Sequence, residues 1–319
     1  MELREVAAGL RFPEGPIAMP DGTVVLVEIE RQALSRVHAD GRIEVIATLG
    51  GGPNGAAVGP DGAVYVCNNG GFRWHEDRHG LRPVAQADDY SGGRIERVDL
   101  ATGEARVLYT GTAKGPLKGP NDIVFDRDGG MWFTDLGKAR ARDLDRGGVY
   151  YASADGASIR EVIYPLLTPN GIGLSPDEKR LYVAETQTGR LWAFDLEAAG
   201  VVKPRPFPSP NGGELVAGLA GYQLFDSLAV DAEGNICVAT LFNGGITVIS
   251  PDGSHIEHIP MPDLFTTNIC FGGPGLRTAY VTLSVSGRLV ALDWPRPGLA
   301  LNFLNERPAS ASPLNGAVR

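Results

Sequence analysis

One local pattern recurs along the chain. A cluster of proline, glycine or asparagine leads into a short apolar run, an Asp-Gly-like turn usually follows, and a second apolar run comes after it. Six copies occur: EGPIAMPDGTVVLVEIE from Glu14, PNGAAVGPDGAVYVCNN from Pro53, GPNDIVFDRDGGMWFTD from Gly119, PNGIGLSPDEKRLYVAET from Pro169, FDSLAVDAEGNICVAT from Phe225 and TNICFGGPGLRTAYVTLS from Thr267. In RLYVAET and RLVALDW apolar and polar residues alternate, the period of a half-buried strand. A Gly-led third run such as GGRIERVDL or GGVYYASA follows, often with a weaker fourth such as EARVLYTG. Helical periodicity is nearly absent, DLEAAG at 195–200 being too short.

The lead residues Glu14, Asn54, Asn121, Asn170, Asp226 and Asn268 lie 40, 67, 49, 56 and 42 positions apart. A four-stranded propeller blade takes ~40–50 residues. The pattern therefore predicts an all-β, six-bladed propeller over residues 1–304, with four-stranded antiparallel blades around a central channel. The stretch LREVAAGL near the start is expected to close the ring against the last blade near GLALNF. The tail 305–319 is expected to be poorly ordered.

Composition agrees with many strands and tight turns: 43 glycines, 23 prolines and 43% apolar residues. The net charge of −9 argues against a nucleic-acid or anionic-membrane partner. No apolar run approaches the ~20 residues of a membrane helix, and no basic-then-apolar leader opens the chain, so a cytoplasmic protein is expected. Cys67, Cys237 and Cys270 sit inside apolar runs and read as reduced, buried side chains.

In a ring of blades the start of each innermost strand faces the channel, so the six lead residues converge, with Asp122 beside Asn121. They offer only oxygen and amide groups. Converging carboxylates are costly to bury unless a cation sits among them, and oxygen-only ligation favours calcium, magnesium or manganese. Asp21, Asp61, Asp128, Asp177 and Asp252 read instead as ordinary turn residues.

RFPEGP, GPNDIVFDRDGGMWFTD, TPNGIGLSPDEKRLYVAET and FDSLAVDAEGNICVAT together resemble the gluconolactonase, regucalcin (SMP-30) and luciferin-regenerating enzyme family of six-bladed propellers, over about the whole chain and in the family's order. The resemblance implies a divalent-metal-dependent lactonase whose single metal is held by Glu14, Asn170 and Asp226. Calcium is the first expectation for that metal, with Zn2+, Mn2+, Mg2+ and Fe2+ as alternatives. The resemblance also implies that Asn121 lines the substrate site, with Asp122 beside it. Animal members have an arginine where this chain has Gly119 after Lys118, and many relatives have Asp-Gly where it has Asp226-Ser227.

Lactone hydrolysis needs a polarised carbonyl, a deprotonated water and a stabilised oxyanion. Asp226 is the expected general base, and Asn121 the group that orients the lactone or bonds the oxyanion. The expected partner is a small lactone, a sugar-acid lactone such as gluconolactone first. An aryl-lactone or organophosphate hydrolase on the same metal, and a non-catalytic calcium-binding propeller, are the alternatives. Lys118 is a further candidate for the substrate or for solvent. Residues 71–90 form an insertion in the second blade, either a lid bringing Arg73, Trp74 and His75 to a ligand or a solvated loop. Within it HEDRH, from His75 to His79, spells a zinc-protease motif without its helix, and GGGPNG at 50–55 spells a dinucleotide fingerprint without a following helix. Tyr222, Phe225 and Phe242 are candidates for an apolar wall or for core.

Overall fold

The middle strands of the repeat are apolar without interruption because they are covered on both sides. Val24–Glu28, Val64–Asn68 and Ile236–Leu241 are buried at every position, each lying inside a sheet that packs between two neighbouring sheets. In the computed structural model, which describes residues 2–306, this yields six antiparallel blades around one axis. Their innermost strands are Pro13–Ala18, Pro53–Val58, Pro120–Phe125, Pro169–Leu174, Leu224–Val230 and Thr266–Gly272. Each touches the next around the ring, and the last touches the first. Apolar clusters fill the spaces between blades, such as Ile269, Val281 and Leu292 with Ala239 and Val248. No helix among the described residues is long and apolar enough to cross a membrane.

The ring closes by pairing the two ends of the chain. Arg4–Ala8 adds the outer strand to the sixth blade beside Arg288–Asp293, with Arg4 opposite Ala291 and Ala8 opposite Arg288. The closing partner is thus RLVALD and not GLALNF, a correction with a simple cause: Pro295 and Pro297 cannot extend the sheet and send the chain elsewhere. GLALNF runs across the lower face of the ring, where Leu299 N–H donates to Val230 O (3.0 Å) and Asn302 Nδ2 donates to Phe125 O (3.1 Å). Asn305 and Glu306 donate back to Leu301 O; the remainder of the expected tail, 307–319, lies outside the described residues.

Two blades depart from the repeat. In the second, a hairpin of Phe72–Asp77 and Gly80–Gln86 forms an arm above the ring. In the fourth, Arg190–Ala198 pairs with both Val201–Lys203 and Glu214–Gly218. The lower turns are alike: Thr23 N–H donates to Asp21 Oδ1 (3.0 Å), Ala63 N–H to Asp61 Oδ1 (3.2 Å) and Lys179 N–H to Asp177 Oδ1 (3.1 Å). In the third blade the turn carboxylate is Asp126, which accepts from Asp128 and Gly130, so Asp128 is held by the turn and does not make it.

Candidate metal centre at the top of the channel

Every innermost strand slips its register at its lead residue. The breaks fall between Glu14 and Ile17, Pro53 and Ala56, Pro120 and Ile123, Pro169 and Ile172, Phe225 and Leu228, and Thr266 and Asn268. A bulge re-aims the side chains within it, and here it turns the lead residues to the axis. Close approach of neighbouring strands needs glycine after the lead. A Cβ on Gly55 would lie 2.3 Å from Asn121 O, and one on Gly171 2.7 Å from Asp226 O.

A second ring of polar side chains, at the ends of the middle strands, fixes the approach to four of these bulges. Glu28 Oε2 accepts from Arg11 N–H (2.8 Å), Asn68 Oδ1 from Gly52 N–H (2.8 Å) and Glu185 Oε1 from Leu167 N–H (2.7 Å). Asp135 accepts from both Lys118 and Gly119 N–H at 2.7 Å. Sequence reasoning missed these residues, although the signal was present: a polar residue closes each of those four apolar strands.

At the axis, Glu14 Oε2 accepts from Gly15 N–H and from Asn268 Nδ2, both at 2.7 Å. Asn170 Nδ2 donates to Asp226 Oδ1 (2.6 Å) and Thr186 Oγ1 (3.1 Å), while Ser227 Oγ lies 3.4 Å from Asn170 Oδ1. Thr134 Oγ1 donates to Asn170 O (2.6 Å) and accepts from Asp122 N–H (3.1 Å), tying the third blade to the fourth. Asn54 and Asn121 are buried at the corresponding positions of blades 2 and 3. Asp122 faces down and lines a cavity of about 700 Å3 between this level and the lower strap.

Burial pushes the Glu14 carboxyl up to about 7, against the opposing bonds from Asn268 and Gly15. It pushes Asp122 up to about 8, with the Glu14 charge adding to it. Asp226 keeps some surface open to the channel, yet desolvation and the charges of Glu14 and Asp122 hold its carboxyl well above the usual range. Three acids thus crowd one another where water is scarce, and this favours a cation.

Among the described residues no group of three or more His, Cys, Asp and Glu side chains is already disposed to hold a metal ion, so amide oxygens would have to complete the ligand set. The residues fit that requirement. Asn170 and Asn268 now turn their NH2 groups onto Asp226 and Glu14, and rotating either amide about its last bond presents oxygen to the same centre.

The other candidates lie higher or outside. Lys118 is exposed, and its carbonyl accepts from the Tyr90 hydroxyl (2.6 Å). Along the arm Phe72 and Trp74 face inward, whereas Arg73 and His75 face solvent, with His75 Nε2 3.2 Å from Asp77 Oδ2. The HEDRH segment is strand and turn, so its histidines lack the shared helical face a zinc site needs. The arm runs above blade 1: Arg11 donates to Glu76, and Leu81 N–H reaches Val285 O in blade 6. Its root is pinned by Lys138, whose buried ammonium donates to Asn69 Oδ1 (3.1 Å) and Gly71 O (3.0 Å) and lies 4.3 Å from the centre of the Phe72 ring. Burial draws that amine down to about 7, with Asp135 opposing. Nothing in the sequence marks Lys138, because its burial depends on blades 2 and 3 meeting. Phe225 is fully buried in the core, leaving Tyr222 and Phe242 at the surface.

Residues 12–285 match the sequence model described as the SMP-30/Gluconolactonase/LRE-like region. The chain belongs to this family. Among its SMP-30-like relatives, a gluconolactonase of Zymomonas mobilis is 26% identical over 304 residues, covering 88% of this chain and 78% of that protein. The lactonase drp35 of Staphylococcus saprophyticus is 33% identical over 210 residues, 66% of this chain and 57% of that one. A solved gluconolactonase from Xanthomonas campestris superposes with a TM-score of 0.71 at 25% identity, covering 92% of this chain and 89% of the other. A calcium-binding protein, regucalcin, from Agrobacterium tumefaciens shares the fold at a TM-score of 0.71 and 21% identity, over 93% of this chain and 95% of that one.

Proposed function

We propose that this protein is a lactone hydrolase that works with one divalent cation, calcium first, held at the top of the channel by Glu14, Asn170 and Asp226. The observation that carries the reading is the convergence of Glu14, Asp122 and Asp226, each raised by burial, among amides that can supply further oxygen. The gluconolactonase and lactonase relatives support the reaction class.

A bound cation supplies Lewis acidity to the ester carbonyl and acidity to a water molecule. The chain's own groups do the rest. Asp226, open to the channel on one side, accepts the proton of the attacking water and passes it to the leaving alkoxide as the ring opens. Asn170, whose NH2 holds that carboxylate in the cation-free chain, would give this bond up to offer its oxygen to the cation and free Asp226 to act. Asn121 orients the ester and donates from its NH2 to the oxyanion. An ester needs no covalent nucleophile, and the three cysteines are buried with their thiols pushed up by desolvation, Cys270 to about 12. The sugar-acid lactone expected from the family and a more apolar lactone both remain compatible with this chemistry.

The test is hydrolysis of a lactone panel by metal-stripped protein with single cations restored. Turnover that returns with the cation and is absent in Asp226→Ala supports the reading. Tight cation binding with no turnover of any lactone sinks it and leaves a binding propeller.

A further inference from the structure

The mouth above the metal centre has two unlike halves. Over blades 2, 3 and 4 the lead positions carry the amides of Asn54, Asn121 and Asn170. From blade 5 over blades 6 and 1 to the root of the blade-2 arm runs a continuous arc of rings. Tyr222 lies 4.9 Å from Phe242, Phe242 5.3 Å from Phe265, Phe265 6.4 Å from Phe12, Phe12 5.1 Å from Trp74 and Trp74 6.0 Å from Phe72, between ring centres. Their places in the chain put them at the mouth: Tyr222, Phe265 and Phe12 come four, three and two residues before Asp226, Asn268 and Glu14.

The arc is only partly core. Phe12 is buried, but Phe72, Trp74, Phe242 and Phe265 are half-buried, Tyr222 is 77% exposed and neighbouring Leu264 62% exposed. A contiguous apolar rim of this kind on a water-facing surface marks a place where something apolar docks. Its members Tyr222, Phe265 and Phe12 run straight into the lead residues Asp226, Asn268 and Glu14, which sets the rim beside the candidate cation site, within reach of one occupant. The ring faces themselves offer a polyhydroxylated ring few partners, the Tyr222 hydroxyl, the Trp74 ring N–H and, at one end, the Asn243 and Gln223 amides that bond each other, and unmet polar groups are penalised.

We propose that the lactone taken by this site carries a flat apolar substituent, which packs on the ring arc over blades 5, 6 and 1 while its ester faces the amides of the opposite half. This rests on the lactone-hydrolase reading above and narrows it. Tyr222, Phe242 and Trp74 become specificity-determining residues, and the sugar-acid lactone becomes the poorer substrate.

The test compares δ-valerolactone with its phenyl-substituted form, two esters with alkoxide leaving groups, alongside glucono-δ-lactone, on the full chain with cation restored. The expected result is a KM about tenfold lower for the phenyl form than for the unsubstituted ring, the scale of an aromatic contact plus its buried area. That ratio should collapse toward one in Tyr222→Ala/Phe242→Ala and, separately, in Trp74→Leu. Tyr222 is exposed, so its loss leaves the fold intact. A preference for glucono-δ-lactone, or a ratio unmoved by the variants, overturns the inference. Binding of the phenyl-substituted δ-valerolactam, followed by calorimetry, separates the two claims. If no lactone turns over but the lactam binds and weakens in the arc variants, the hydrolase reading falls while the apolar subsite stands. If the lactam does not bind, the subsite falls as well.

Discussion

The two ends of the innermost strands carry carboxylates in opposite conditions. At the lower ends Asp21 and Asp177 sit near solvent, and bonds from Thr23 and from Ser175 and Lys179 hold them below their ordinary range. At the upper ends of other blades, Asp122 in the third and Asp226 in the fifth, desolvation and mutual repulsion hold the same residue type above it, and among the lower turn acids the buried Asp126 of the third blade is pushed up as well. The lower acids are satisfied by the backbone turn they stabilise. The upper acids meet one another and hold their protons more tightly for it, a repulsion that the proposed cation would relieve. The chain thus repeats one strand pair six times, and the proposed chemistry sits at the end where the lead residues meet.

Removing a carboxylate at each end separates the two conditions most strongly. Asp226→Ala should lower kcat/KM for a hydrolysed lactone by ~10^2- to 10^4-fold, the range lost with a general base. Asp177→Ala should leave it within about twofold, because surface changes away from a site act on stability alone. Equal losses at both ends would remove the distinction.

The pH response should also have opposite signs. For Asp122 the folded value, about 8, lies above the ordinary 3.8, and for Glu14 about 7 lies above 4.5. Between those limits the folded protein keeps protons that the unfolded chain has released, so these groups make metal-stripped protein less stable as pH rises from about 4 to about 8. Asp21 and Asp177 contribute stability above their ordinary value that fades as pH falls through their lower folded one. The melting temperature of stripped protein should therefore drop by several degrees from pH 5 to pH 8 and recover when calcium is added. A flat profile, or one unaffected by the cation, would contradict the crowding of the upper acids.

Smaller effects follow from backbone geometry. Gly55→Ala sets a methyl against Asn121 O and should cost ~1–3 kcal/mol in urea unfolding by forcing blades 2 and 3 apart. Asp177→Ala removes the acceptor for Ser175 Oγ and Lys179 N–H and should cost only ~1 kcal/mol.

Much of this was legible in the sequence because the repeat is local. The turn, the two apolar runs and the lead residue fall within about twenty residues, so the six blades could be read without a structure; the singling out of Glu14, Asn170 and Asp226 rests on the family resemblance, and the alternation in RLYVAET and RLVALDW misled, since both strands are covered on both faces. What was hidden depends on contacts between distant segments. The closing strand pairs with RLVALD and not near GLALNF, and the prolines at 295 and 297 carry that signal. Lys138 looked like any loop lysine until blades 2 and 3 enclosed it. Tyr222 and Phe242 showed as candidates, but their continuity with Phe265, Phe12 and Trp74 joins four parts of the chain and has no trace in spacing.

The seam where the ring closes has a mechanical consequence. The strand Arg4–Ala8 and, just behind it, the Glu14–Asn268 hydrogen bond join segments at opposite ends of the chain, the bonded pair being 254 residues apart. Tension applied between the two ends would load this seam before any blade interior, peeling the outer strand first and reaching the Glu14 carboxylate next. An ion gripping Glu14 together with Asn170 and Asp226, as proposed, would then act as a rivet through three blades, and its removal would make the ring easier to pull open.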